Sequence, residues 1–199
     1  MALTRLGPNQ SVNLASNTTG TLGVANGGTG LTSGTTDQLL KFTGTTTLAS
    51  SVDNGGKIHQ IQHSKNTTYK NINSVTFNTC MSVGITPSAS DSTILILGSP
   101  NISKDTNNTA VVHRCFRVIG GSDVETQVLS DHAGRNNSSS VYNDIGYAAF
   151  QWYDSPSTTS AITYEYRICS YGDNANVAFN NYSAGGSFSS QITAIEFLA

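Results

Sequence analysis

The chain has 199 residues, of which 37% are hydrophobic and only 11% charged, with a formal net charge of −2. Globular proteins carry roughly a quarter charged residues; polarity here rests instead on Ser, Thr, Asn and Gly, which suit strands and turns better than helices. The 10 basic residues are scattered and form no stripe, which argues against nucleic-acid binding, and no apolar run is long enough to span a bilayer.

In chain order, residues 1–12 open with ALTRLGPNQ after the first Met, a short apolar and basic stretch with a turn at Pro8, and read as an attachment segment. They lack the basic start and apolar centre of a secretory signal, so synthesis in a host cytoplasm is expected. Residues 13–54 read as an extended stalk. Within them NLASNTTGTLGVANGGTG, residues 13–30, has no charge and no aromatic ring, and only Leu14, Leu22 and Val24 as sizeable apolar side chains. Ordering a backbone costs roughly 1 to 2 kcal/mol per residue, more than those side chains offset in one copy. Several copies wound together would bury them, with glycine permitting close approach. Residues 39–42 and 48–52 predict short strands about a turn at Gly44.

Composition changes at residues 52–56. Before them the charges are Arg5, Asp37 and Lys41 and the aromatic residue is Phe42; all tyrosines and the tryptophan follow. Residues 55–199 therefore form a separate head, with strands predicted at 57–63, 74–83, 93–98, 110–119, 124–129, 145–153, 163–171, 177–179 and 189–198. That spacing of short strands and turn clusters fits a jelly-roll-like β-sandwich. In 163–171, Tyr164, Tyr166 and Ile168 share one face and Glu165, Arg167 and Cys169 the other. In 145–153 both faces are apolar, which calls for cover on both sides and favours a trimer over a monomer. The last strand, 189–198, has the same two-sided character. The fold class predicted is thus all-β: a glycine-rich N-terminal stalk followed by a jelly-roll-like head, trimeric.

The string GTLGVANGGTGLTSGTTDQLLKF, residues 20–42, resembles a segment that recurs in tail fibres and other virion fibres of tailed bacteriophages, especially marine and cyanobacterial ones. WYDSPSTTSAITYEYRI, residues 152–168, and SSQITAIEFLA, residues 189–199, are similar to elements of the trimeric head these fibres often carry. Gly23 stands where the family usually has proline, so local stiffness there is expected to be lower. The resemblance implies a structural virion fibre protein, a homotrimer joined to a phage tail or capsid protein through its N-terminus and acting in host attachment. A capsid head fibre or decoration protein is the alternative, and a tailspike-type glycan hydrolase the third reading.

No enzyme and no cofactor are expected. G-x-S-x-G is absent, and the spacing of His113, Asp131 and His132 does not by itself assemble a triad. Asp154, Glu165 and Glu196 are the carboxylates a glycosidase reading would need; a loop turn, a cross-strand partner of Arg167 and a strand-rim charge are the plainer readings. GGTG at 27–30 lacks the flanking strand and helix of a phosphate loop. His59 and His63 point the same way on one strand but stand roughly 13 Å apart at about 3.3 Å per residue, so a metal would need one His from each chain on a threefold axis. GDNAN, 172–176, offers oxygens for calcium but reads as a turn. Cys80, Cys115 and Cys169 lie in apolar runs and are expected to be buried free thiols, one disulfide or an interchain pairing being the alternatives. A recognition surface fits better than catalysis. The loops at 132–143 and 172–183 concentrate hydrogen-bonding groups, and Arg135, Asn136, Asn137, Tyr142, Asp173, Asn174, Asn180, Asn181 and Tyr182 are the candidate contacts to a host-surface glycan or protein; solvated turns are the plainer reading.

Overall fold

The computed structural model describes residues 29, 31, 34–45, 47–51, 58–104, 109–134, 143–172, 175–181 and 188–198. The chain divides into two compact units, Met1–Asn54 and Gly55–Ala199. In the first, β1 (Leu39–Phe42) pairs antiparallel with β2 (Leu48–Ser51), Leu39 opposite Ser51 and Phe42 opposite Leu48. The attachment segment and the stalk residues before 29 lie outside the described residues.

The second unit is built from β3 (Ile58–Asn66), β4 (Lys70–Ile72), β5 (Asn78–Ile85), β6 (Thr93–Ser99), β7 (Asn101–Lys104), β8 (Val111–Ile119), β9 (Ser122–Ala133), β10 (Asn143–Tyr147), β11 (Phe150–Asp154), β12 (Ile162–Ser170), β13 (Val177–Phe179) and β14 (Ser190–Phe197). No helix occurs among the described residues. Hydrogen bonding orders them as β5-β12-β8-β9, β11-β6-β14-β3 and β10-β7-β13-β4. The last two orders correspond strand for strand, because β6 runs into β7 across Pro100 alone and β10 into β11 across Ala148 and Ala149. They are two halves of one bent sheet. Merged in this way, the chain gives two four-stranded antiparallel sheets whose pairings β8 with β9, β6 with β11, β5 with β12 and β3 with β14 nest inside one another. Such nesting is the jelly roll.

Local chemistry explains the two ends of that hairpin. The innermost turn is Gly120-Gly121, between paired Ile119 and Ser122, with φ of 59° and 81°. Both central residues take positive φ, as a type I′ turn requires, and glycine does so without steric cost. The outermost strand, β14, pairs β3 on one side and β6 on the other, so the end of the chain is central to its sheet.

Between the sheets, alternate side chains form the core. Ile94, Ile96, Ile192, Ala194, Val177 and Phe179 from the bent sheet meet Val83, Ile85, Val111, Cys115, Ile162, Tyr164, Tyr166 and Ile168 from the other. Trp152 stands edge-on to Tyr164 at 5.4 Å, and Phe150 stacks on Tyr166 at 5.5 Å. The expected faces of 163–171 hold, with Tyr164, Tyr166 and Ile168 all fully buried.

Three expectations change. The strand foreseen at 145–153 is two, since the register skips Ile145 in a bulge beside Gly146 and the sheet breaks at 148–149; Ile145, Ala148 and Phe150 all pack on the core, whereas Tyr147 and Tyr153 are exposed. Within one copy, Tyr147 and Tyr153 are therefore left uncovered. β4 and β7 were not anticipated, because KNI and NISK are short and flanked by polar residues. Glu196, read as a strand-rim charge, is fully buried.

The bend has a physical cause. Pro100 has no N–H to give to the ladder, and its carbonyl accepts from Ala148 N at 2.8 Å. Asn180 closes the same line: its Nδ2 donates to Asn66 O at 2.8 Å, its Oδ1 accepts from Ser190 Oγ at 2.6 Å, and Ser190 Oγ accepts from Asn101 N at 2.8 Å.

Candidate binding surface at the loop end

The registers place four connections at one end of the sandwich. Ser170 lies opposite Val111, Val111 opposite Ala133, Ile168 opposite Asn78, and Lys104 opposite both Asn143 and Val177. The strand ends that lead into 73–77, 105–110, 134–142 and 171–176 thus lie side by side. Ser170 N donates to Ser74 O at 2.8 Å and Tyr171 N to Ala110 O at 3.1 Å, which ties three of them together. The fourth joins through rings: His132, at the base of 134–142, lies 4.3 Å from Tyr171. Beneath them Lys104 is buried and its Nζ donates to Thr109 O at 3.0 Å, while the Thr109 and Ser170 hydroxyls lie 3.3 Å apart. The chain enters the sandwich at Ile58, opposite Phe197, at the other end, which also carries 86–92, the Gly120-Gly121 turn and 155–161.

Of the recognition residues expected from sequence, Arg135, Asn136, Asn137, Tyr142, Asp173, Asn174 and Tyr182 lie outside the described residues. The described strand ends that flank 135–142 and 173–174, at Ala133, Asn143, Ser170 and Val177, lie at one end of the sandwich. Asn180 is a correction: it is fully buried, holds φ at 52° and spends its amide on the sheet bend, so it is not offered to a ligand. Asn181 is half-buried and donates to Ser103 Oγ at 3.1 Å. Both sit at the bend, because β13 interrupts the loop foreseen at 172–183 and carries the chain back along the sheet. The His132–Tyr171 pair was not among the candidates; an aromatic ring near the end of β9 and another just past the end of β12 were the available signal.

The residues considered for catalysis are structural in their contacts. Asp154 is buried, bonded to Arg117 Nη1 at 2.5 Å and accepting from Tyr164 OH at 2.6 Å, not a loop turn. Burial, reinforced by that carboxylate, pushes the Tyr164 hydroxyl upward. Glu165 pairs with Arg167 at 2.8 Å along one strand rather than across, and accepts from Thr79 Oγ1 at 2.5 Å. Glu196 accepts from Ser88 N at 2.6 Å, Ser92 Oγ at 2.7 Å, Gln60 Nε2 at 2.6 Å and Ser88 Oγ at 3.1 Å. Burial pushes its carboxyl up, but these donors outweigh it and hold it below the ordinary value.

His113 faces the core beside Tyr166 OH at 3.1 Å, and burial holds it down to about 4. Asp131 instead bonds Arg114 at 3.0 Å, and His132 lies against Tyr171. His59 and His63 are exposed, and His63 Nδ1 is hydrogen-bonded with Thr193 Oγ1 at 3.0 Å. No group of three metal-ligating side chains occurs among the described residues. The three cysteines are free and buried; burial pushes Cys80 and Cys115 up to about 12, which leaves them inert.

The sandwich's outer faces differ. On the β5-β12-β8-β9 sheet, Arg167 forms two bonds to Asp123 at 2.7 and 2.8 Å and caps the Phe116 ring at 4.3 Å, while Arg114 lies 5.1 Å over Phe77. On the bent sheet, Tyr153, Leu95, Ile195 and Ile61 form a row across all four strands.

No protein-family model and no curated protein matches the sequence. Among solved structures, the chain is similar to the VP2 subviral particle of infectious bursal disease virus at 12% identity and a TM-score of 0.44, over 80% of this chain and 37% of that one. It is similar to the T13 particle of the same virus at 12% identity and a TM-score of 0.42, over 82% and 44%, and to its Gx strain at 12% and 0.41, over 81% and 45%. The chain spans less than half the length of these structures.

Proposed function

We propose that the chain is a structural protein of a virion, a homotrimeric fibre of a tailed phage whose jelly-roll head carries the host-binding surface. The polarity of the head supports this reading most directly. The chain enters the head at Ile58, and four of its connections are gathered at the opposite end of the sandwich, away from that entry. The resemblance of 20–42 to phage fibre segments supplies the stalk, and that of 152–168 and 189–199 the head. An aromatic pair beside amide-rich segments suits a sugar, since rings stack on its apolar face and amides match its hydroxyls.

Electron microscopy of particles bearing a label on this chain tests the assignment. Label at the tail tip is expected. Label distributed over the capsid would turn the reading to the head fibre or decoration alternative, and release of sugar fragments from host polysaccharide by the purified protein would turn it to hydrolysis.

A further inference from the structure

Two hollows open on the bent sheet beside its turn at Pro100. One, of about 490 Å³, is lined by Leu97, Gly98, Ala149, Phe150 and Gln151; the other, of about 170 Å³, by Leu97, Gly98, Ser99, Gln191 and Thr193. The register explains why they adjoin: Gln151 and Thr193 lie opposite Leu97 on either side, and Gln191 lies opposite Ser99. With Leu97 and Gly98 as a shared wall, they form one groove across β11, β6 and β14. The larger hollow falls within the roughly 300 to 1,000 Å³ usual for ligand clefts. We propose that this groove binds an uncharged carbohydrate. It is lined by none of the residues at the clustered loop end, and its chemistry does not depend on the fibre reading.

The lining selects that ligand class. Gln151 and Gln191 are exposed, stand on the strands either side of Leu97, and hold no side-chain hydrogen bond among the described residues. Each amide offers donors and an acceptor, as neighbouring sugar hydroxyls require, while Leu97 supplies an apolar floor for the C–H face of the ring. Every lining residue is uncharged, and Lys65, opposite Gln191 on β3, stands outside the lining. A charged group would therefore leave water without a partner, and an apolar ligand would cover both amides without pairing them. Two observations at the bend agree. Tyr147, two residues before Ala149, is 53% exposed and stands edge-on to Phe188 at 6.3 Å, which puts aromatic rings beside the turn. Ser189, two residues before Gln191, donates through its N to Tyr147 OH at 3.5 Å, and its buried Oγ has no partner among the described residues. Such an unpaired hydroxyl is uncommon, and a hydroxyl-rich ligand is the kind that satisfies one.

The test applies the purified full-length chain to an array of microbial oligosaccharides, neutral and acidic. Binding to at least one neutral member is expected. Gln151→Ala with Gln191→Ala should weaken it about tenfold, the loss that two neutral hydrogen bonds imply, and Leu97→Trp, which fills both hollows, should abolish it. All three side chains are exposed, so both variants are expected to melt as the wild type does. Val124→Ala on β9 of the other sheet, where the native side chain is 47% exposed, should leave binding unchanged. Binding to acidic members alone, or to no member, would overturn the proposal. Neutral-sugar binding undiminished in both groove variants would overturn it too, and would move the sugar to another surface without touching the fibre reading.

Discussion

Glu196, His113 and Asp154 show how single polar residues set the conditions under which this head is stable. The folded-state pKa of Glu196 is depressed, so its contribution is complete above its ordinary value of 4.5 and is lost as pH falls. His113 acts in the same direction. Between 6.5 and about 4 the unfolded chain takes up a proton that the buried ring refuses, so stability falls across that window, by on the order of 3 kcal/mol at most. Melting temperature should therefore drop steeply from pH 6.5 to 4, and His113→Gln should flatten that slope; an unchanged slope would mean that His113 is accessible to water in the fold. Asp154 neutralises Arg117, whose Nη1 is bonded to it and whose Nε is buried without a partner. Asp154→Ala should cost roughly 3 to 5 kcal/mol, the cost of an uncompensated buried charge, and Asp154→Asn less, as thermal denaturation would show. None of these roles was legible in the sequence, because each depends on partners from distant strands: Glu196 draws donors from residues 60, 88 and 92.

At the scale of elements, alternation was legible wherever one face is core and the other is not, as in β12, and the predicted and observed limits of 177–179 coincide. It failed where a strand bends. Around Ala148 and Ala149 the alternation slips, and a sequence apolar on both sides was really two strands turning the same face inward. Gly98 makes that turn possible: a Cβ there would lie 2.2 Å from Cε1 of Phe150, whose ring is held by stacking on Tyr166. Gly98→Ala should destabilise by roughly 1 to 3 kcal/mol through overpacking, and Phe150→Leu in the same chain should recover part of it; full stability of the single variant would show that the ring has room to move. β14 carries a stronger expectation, since it bonds β3 and β6 and buries Ile192 and Ala194. Deleting residues 195–199 should abolish cooperative melting, because it removes the last three residues of an inner strand of the sheet and, with Glu196, the acceptor for Gln60, Ser88 and Ser92.

For the whole molecule, the nested hairpin separates an end where the chain enters from an end where four connections meet, and that polarity leads to a functional prediction. The loop composition at 132–143 and 172–183 was readable as hydrogen-bonding surface, but the gathering of the strand ends at Ala133, Asn143, Ser170 and Val177 was not, since it follows from pairing between strands far apart in the chain. If the clustered end contacts the host, His132→Ala with Tyr171→Ala should lower the adsorption rate of the particle by removing an aromatic platform. The head should meanwhile stay folded: Tyr171 is 37% exposed and follows the last residue of β12, and side chains at such positions contribute within about 1 kcal/mol. Measuring adsorption and melting on the same variant separates the two effects. Slower adsorption with a melting temperature near wild type places host contact at this end of the sandwich. Unchanged adsorption with an intact fold moves that contact away from the His132–Tyr171 pair and favours a capsid protein whose loops serve surface cover.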